Sequence, residues 1–365
     1  MSVILHPRPS PIAAAMYMLR DLDVEVIVLH GPSGCCFGPA RLLEKDGVKV
    51  FTTALSDNEL IFGGEERLKN VLRKIDELFK PKLIGVVGTC ASMIIGENIK
   101  RAIEEINLAN KTICCNVHSG LGDNTIGAIE VLKEANKLGI ISKEEFERQK
   151  YMLEMATLLE KTRGTARLEY IPNSPSDDPS KVAYEIIDSI KNNKEIACIL
   201  NAKKETAFLF ADIMIALKEI QEKIGGRIKF IANLDPNIGL PRIRNYSKII
   251  LEELNKKGVN IDFITGGLDE YPIAGIKARE IILNSSTELA IIAGIPHAVA
   301  IEGKIKTIAI TSGSRATSNL KSLGYNFVVN EYGAHRITLG KKHIHRSILG
   351  NTIRKIIRKI MRDTS

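Results

Sequence analysis

The chain has no tryptophan and few aromatic residues of any kind, 5% in all. It therefore lacks the interleaved stacking side chains on which nucleic-acid binding relies, and its net charge of +8 calls for another anion. No apolar run approaches the roughly 20 residues of a membrane span, so no membrane role is expected. The N-terminal MSVILHPRPSP shows no long apolar stretch before a small-residue cleavage site, which reads against a secretory signal and for a cytoplasmic protein. G-x-x-x-x-G-K-[ST] is absent, which argues against nucleotide hydrolysis by this chain through a P-loop. G-x-G-x-x-G after a strand and C-x-x-C are missing too, and with them the dinucleotide fingerprint, the thioredoxin-type redox pair and the usual zinc modules.

Cysteine is present, six in all, but not as a disulfide framework. Neighbouring cysteines across a trans peptide stand about 3.8 Å apart at Cα, too close for ordinary bridge geometry. Cys35 with Cys36, and Cys114 with Cys115, are thus free thiols or metal ligands.

Short β-branched runs alternate with amphipathic stretches along the whole chain. VEVIVLH, VKVFTT, KLIGVVGT, TICCNV, EIACIL, RIKFIAN, NIDFIT, LAIIAG and IKTIAIT read as strands, several of them buried on both faces as in parallel sheets. Ile95, Ile99, Ala102 and Ile106 form one helical stripe and Ile213, Leu217, Ile220 and Ile224 another. The pattern predicts an α/β protein of two to three Rossmann-like domains with mostly parallel sheets. The cluster IPNSPSDDPS is the most linker-like segment, and the expected division is 1–170, 171–285 and 286–365. The last segment ends in a basic helix with Leu349, Ile353, Ile356 and Ile360 as its docking stripe and Arg354, Lys355, Arg358, Lys359 and Arg362 largely on other faces.

In open α/β sheets, ligands gather beyond the carboxyl ends of the strands. Cys35 follows VEVIVLH and Cys90 follows LIGVVGT, about one strand-helix-strand-helix passage apart, so their loops are expected to be neighbours. Gly31, Gly34 and Gly88 flank them and allow backbone amides to approach a bulky inorganic group. Position alone leaves two readings for Cys35 and Cys90: small buried apolar residues, or thiolate ligands. Cys114, Cys115 and Cys198 lie inside strands and read as core.

HGPSGC (His30 to Cys35), FGGEERL (Phe62 to Leu68) and TCASMIIGENI (Thr89 to Ile99) occur in the order and spacing found in nitrogenase component 1 and its relatives, which this chain resembles. A fainter likeness runs through residues 234–267, so it covers most of the chain. The resemblance implies that Cys35 and Cys90 bind iron as cluster thiolates. Three departures set nitrogen reduction aside: no cysteine stands upstream of H-G-P, Ala91 replaces a common proline, and the molybdenum-cofactor cysteine and histidine have no counterpart. The short, two-cysteine branch of the family is the better match. It implies a homodimer sharing a 4Fe-4S cluster, electrons from a separate iron protein that hydrolyses ATP, and a nickel tetrapyrrole substrate. That substrate is nickel-sirohydrochlorin a,c-diamide, reduced and closed to a lactam on the way to coenzyme F-430. A cluster- or tetrapyrrole-binding scaffold, or a reductase of another ring, are the alternatives.

Three further residues are candidates for roles at such a site. His118 lies just past TICCNV at a strand end and is placed for proton donation or a contact to nickel. Arg242 and Arg244 follow the turn DPNIGLP and are candidates for holding substrate carboxylates. Glu65 and Glu66 read as first-turn acids at the positive end of a helix dipole.

Overall fold

The computed structural model describes residues 10–301 and 303–363. Residues 1–9 of the stretch read for a signal lie outside them. The chain forms two compact units, one drawn from residues up to Glu154 with Leu240–Arg242, the other from Met155–Gly239 with residues from Ile243 onward.

The first unit carries β1 (Val26–His30), β2 (Lys49–Thr52), β3 (Ile84–Gly88) and β4 (Thr112–Cys115) in the order β2-β1-β3-β4, all parallel. β1 and β3 are central and wholly buried, as their unbroken apolar runs require. Val26, Val28, Ile84, Val86 and Cys114 pack one face of the sheet against Leu68, Leu72 and Ile75 of helix Glu65–Phe79 and Ile99, Ala102 and Ile103 of helix Ile99–Glu105. Helices Pro11–Asp21 and Thr125–Lys137 cover the other face, where Cys115 sits beside the Gly127 carbonyl. The adjacent cysteines of β4 thus point to opposite faces, both buried, and burial raises both thiol pKa values.

The stripe from Ile95 to Ile106 differs from the expected single helix. Gly96 takes φ 76°, a left-handed conformation that breaks it into Cys90–Ile94 and Ile99–Glu105. The break places Glu97 between two helices, where its side chain turns inward.

The second unit is one six-stranded parallel sheet. It is built from β5 (Glu195–Asn201), β6 (Arg227–Ala232), β7 (Phe263–Ile264), β8 (Leu289–Gly294), β9 (Lys306–Thr311) and β10 (Phe327–Asn330), ordered β10-β9-β8-β5-β6-β7. The expected boundary at 285 therefore falls inside a continuous sheet, because β8 pairs directly with β5 from Ile196↔Leu289 to Asn201↔Gly294. Residues 171–285 and 286–365 belong to one unit. β10, with only Phe327, Val328 and Val329 as an apolar run, is the strand that the sequence reading does not include.

The linker-like cluster is also not a linker. Its Asp177 N–H donates to the Val328 carbonyl at 2.8 Å, its Asp177 carboxylate accepts from the Val328 N–H at 2.6 Å, and the Ser174 N–H donates to Ser318 Oγ at 2.9 Å. The segment shields the free edge of β10, which would otherwise present unpaired backbone groups. The C-terminal helix Ile348–Asp363 docks on helices Pro179–Lys191 and Asp212–Ile224 by Leu349, Ile353, Ile356 and Ile357. Arg354, expected on another face, is buried: its guanidinium pairs with Asp212 at 2.7 Å and with Glu219 at 2.7 Å, which neutralises it within the interface.

Candidate metal centre

β1 and β3 are hydrogen-bonded neighbours with His30 opposite Gly88, so the loops that leave their carboxyl ends start side by side. The Thr89 hydroxyl donates to the His30 carbonyl at 3.0 Å and ties one loop to the other. A Cβ on Gly31 would overlap Thr89 Oγ1, so this approach requires glycine. Cys35 and Cys90, both half-buried, emerge from these loops close enough for the Cys90 sulfur to help raise the Cys35 thiol pKa. Burial is the larger cause of that rise; the Thr89 hydroxyl opposes it. The structure thus brings together the two thiols that the sequence pairs.

Cys36 lies near both of these thiols, each of which helps to raise its pKa. It has φ 52° at the start of helix Phe37–Lys45, and burial pushes its thiol up to about 11, with the Ser10 hydroxyl opposing.

The amide directed at a sulfur is not one of the expected glycine amides. Gly31 N–H donates to Thr53 Oγ1 at 3.0 Å, whereas Ser119 N–H donates to Cys90 Sγ at 3.3 Å. Ser119 comes from the loop after β4, next to His118, so the His118 backbone reaches the thiol site. The His118 ring accepts from the Gly120 N–H through Nδ1 at 3.1 Å, which leaves the proton on Nε2. Arg242 is engaged elsewhere: it donates to Asp23 at 3.0 Å and to Asp46 at 3.1 Å, and Asp46 also holds Arg20 at 3.1 Å. That is a structural pairing and not a free cation for substrate. Arg244 is exposed.

Beneath the thiols lies a polar network that the sequence reading does not single out. His30, fully buried, contacts Thr53 Oγ1 through Nδ1 at 3.1 Å and Glu97 Oε2 through Nε2 at 3.1 Å. The other Glu97 oxygen accepts from the Gly64 N–H at 2.6 Å, and the Glu65 carboxylate accepts from the Asn98 N–H at 3.1 Å and from Arg101 at 2.6 Å. One residue from each of the three motifs, His30, Gly64 and Glu97, meets here. The signal was present as an acid and a histidine inside the quoted motifs; their partnership needed the fold. Burial lowers the His30 pKa from about 6.5, with Glu97 opposing. The unfolded chain therefore takes up this proton first. The neutral ring's contribution to stability is full above pH 6.5 and is lost as pH falls below it toward the folded value. Urea midpoints compared between pH 7 and pH 5 are expected to fall, and His30→Gln should flatten that part of the slope.

The donor set fits an iron–sulfur group in kind: adjacent, half-buried thiols, with a backbone amide already directed at one sulfur. Among the described residues, no group of three or more His, Cys, Asp and Glu side chains is arranged to hold a metal ion. Cys35 and Cys90 are two thiols, where a cubane takes about four.

Residues 10–152 match the family described as nitrogenase component 1 type oxidoreductase. The chain is 48% identical over 364 residues to the protein of Methanothermobacter thermautotrophicus named Ni-sirohydrochlorin a,c-diamide reductive cyclase complex, component CfbD, covering 98% of this chain and 100% of that one. Proteins of the same name from Methanosarcina acetivorans and Methanocaldococcus jannaschii are each 46% identical, covering 98% and 96% of this chain and 98% and 99% of theirs. The chain belongs to the nitrogenase component 1 family. Its parallel α/β architecture is the one expected from the sequence.

Proposed function

We propose that this chain is the catalytic subunit of a reductive cyclase that reduces nickel-sirohydrochlorin a,c-diamide and closes its lactam ring, in a complex with a separate ATP-hydrolysing iron protein. The observation that carries the reading is the Cys35–Cys90 pair, set by the three motifs at the ends of adjacent central strands. The near full-length identity to proteins named as components of such a complex supplies the substrate.

Cys35 and Cys90 would hold one half of a 4Fe-4S cluster, and the same pair from a second copy the other half, since a cubane takes about four thiolates. Bound there, the cluster supplies single electrons at low potential. The chain's own residues do the rest. The Ser119 amide stabilises charge on the Cys90 sulfur, Thr89 and Gly31 fix the spacing of the two loops, and the His118 Nε2–H is placed to donate a hydrogen bond. Exposed apolar side chains sit on the elements that carry the motifs: Phe37 after Cys36, Ile61 and Phe62 before Gly63, and Ile94 on the helix that Cys90 begins. Apolar exposure of this kind suits a surface that a second copy covers. Arg244 is the retained candidate for a substrate carboxylate, by charge-assisted bonding.

The test is anaerobic incubation of the purified chain with the nickel ring, the iron-protein partner, ATP and dithionite, followed by absorbance and mass. Consumption of the ring is expected only with partner and ATP together, and the chain alone is expected to show no ATPase above background. An unchanged nickel ring alongside consumption of a different tetrapyrrole overturns the substrate assignment; binding of every ring with reduction of none favours a scaffold.

A further inference from the structure

The second unit has a cleft of about 190 Å³ that the reading above does not use. Its walls come from the last turns of helix Lys143–Thr162 within this unit, from helix Tyr271–Leu283, and from the turn Pro296–Ala298 that follows β8. Leu158, Pro272 and Ile276 make the apolar part, and Arg163, Arg279 and His297 bring the charge. Its location has a reason. β5 and β8 are the central pair, with later strands added outward on each side, and ligands in open α/β sheets gather at the carboxyl ends of such a switch point.

The cations on the wall differ in their pairing. His297 has an acid of its own: its Nε2 lies 3.3 Å from Glu160 Oε1, and Glu160, though buried, is held down to about 2 by that contact and by nearby Lys203. Arg279 has none. Its Nε is buried without a hydrogen-bond partner, and no ion pair involves its guanidinium among the described residues. A desolvated, unpaired guanidinium edge facing an apolar cleft is costly to maintain unless something outside the chain completes it.

We propose that this cleft binds a carboxylate-ended apolar arm, with the acid paired in-plane to Arg279 and the arm lying on Leu158, Pro272 and Ile276. A planar carboxylate matches the guanidinium fork, and the small apolar cleft favours it over a fully hydrated phosphate. The binding itself stands apart from the reaction proposed above. That the arm is one of the tetrapyrrole's acid side chains rests on that reading.

Titration calorimetry on the full chain tests the binding, with 3-phenylpropionate as probe and 3-phenylpropanol and inorganic phosphate as controls. The acid is expected to bind at least about tenfold more tightly than the alcohol, with phosphate failing to displace it. Arg279→Gln should remove that advantage while leaving the alcohol unchanged. Ile276→Trp should block the acid with Arg279 intact, which separates a filled cleft from a lost charge. Equal binding of acid and alcohol, or an unaltered acid affinity in Arg279→Gln, overturns the proposal. Turnover of the nickel ring separates the two readings. If Arg279→Gln loses the acid probe yet raises no KM for the ring, the assignment of the arm to the ring is overturned; if the wild-type chain binds the acid through Arg279 but turns over no ring, the reaction fails and the cleft stands.

Discussion

Cys35→Ala and Cys90→Ala are each expected to abolish the iron–sulfur absorbance and paramagnetic signal of the anaerobically reconstituted protein, and with them all turnover. Each removes half of what one chain contributes, and a symmetric pair of chains loses two ligands of about four. Cys36→Ala is expected to keep iron near the wild-type level. Cys36 lies one residue past the ligand position of H-G-P-x-G-C, and burial pushes its thiol up to about 11, so it is protonated at neutral pH. Iron content and the visible spectrum of the three variants decide this together. Iron lost from Cys36→Ala and retained in Cys35→Ala would shift the assignment by one residue and require the motif to be aligned afresh.

The second large effect falls on Glu97, which touches neither cysteine. Its carboxylate, 3% exposed, satisfies both the His30 ring and the Gly64 amide. Glu97→Ala strands two buried donors at about 1–3 kcal/mol each, so a loss of about 2–6 kcal/mol in the first unit is expected. Glu97→Gln should cost less. Its amide oxygen can keep the Gly64 N–H while the His30 ring switches tautomer, accepting at Nε2 and donating to Thr53. Because the same network fixes the β1 and β3 loops, iron loading is expected to fall with stability in the Ala variant and to recover in the Gln variant. Urea unfolding followed by limited proteolysis of the first unit reads the stability; iron analysis reads the loading. Wild-type stability in Glu97→Ala contradicts the role given to it.

The parallel sheets were legible because β1, β3, β5, β8 and β9 are unbroken apolar runs that only a doubly covered sheet accommodates. The Cys35–Cys90 pairing was legible for a related reason. Strand ends in a parallel sheet lie on one edge, so two motifs that each follow a strand converge there. What escaped depended on long-range partners. β10 is short, and its edge is completed by the backbone of a Pro, Ser and Asp cluster whose composition alone reads as a linker. Arg242 reads as a free cation until Asp23 and Asp46 are found beside it, far away in sequence. Arg354 reads as surface charge until Asp212 and Glu219 take it inside. Glu97 carries no local mark that distinguishes a buried carboxylate from a helix-end acid.

The claim on which the functional account rests is that each chain supplies two thiolates and that one cluster joins a pair of chains. Native mass spectrometry of the reconstituted protein under anaerobic conditions measures this directly, since it gives chain number and iron content of the same particle. The account predicts a two-chain species with about four irons, and single chains without iron when Cys35 and Cys90 are both replaced. A single chain carrying a complete cluster, or a two-chain species that keeps its iron without those two cysteines, would contradict it.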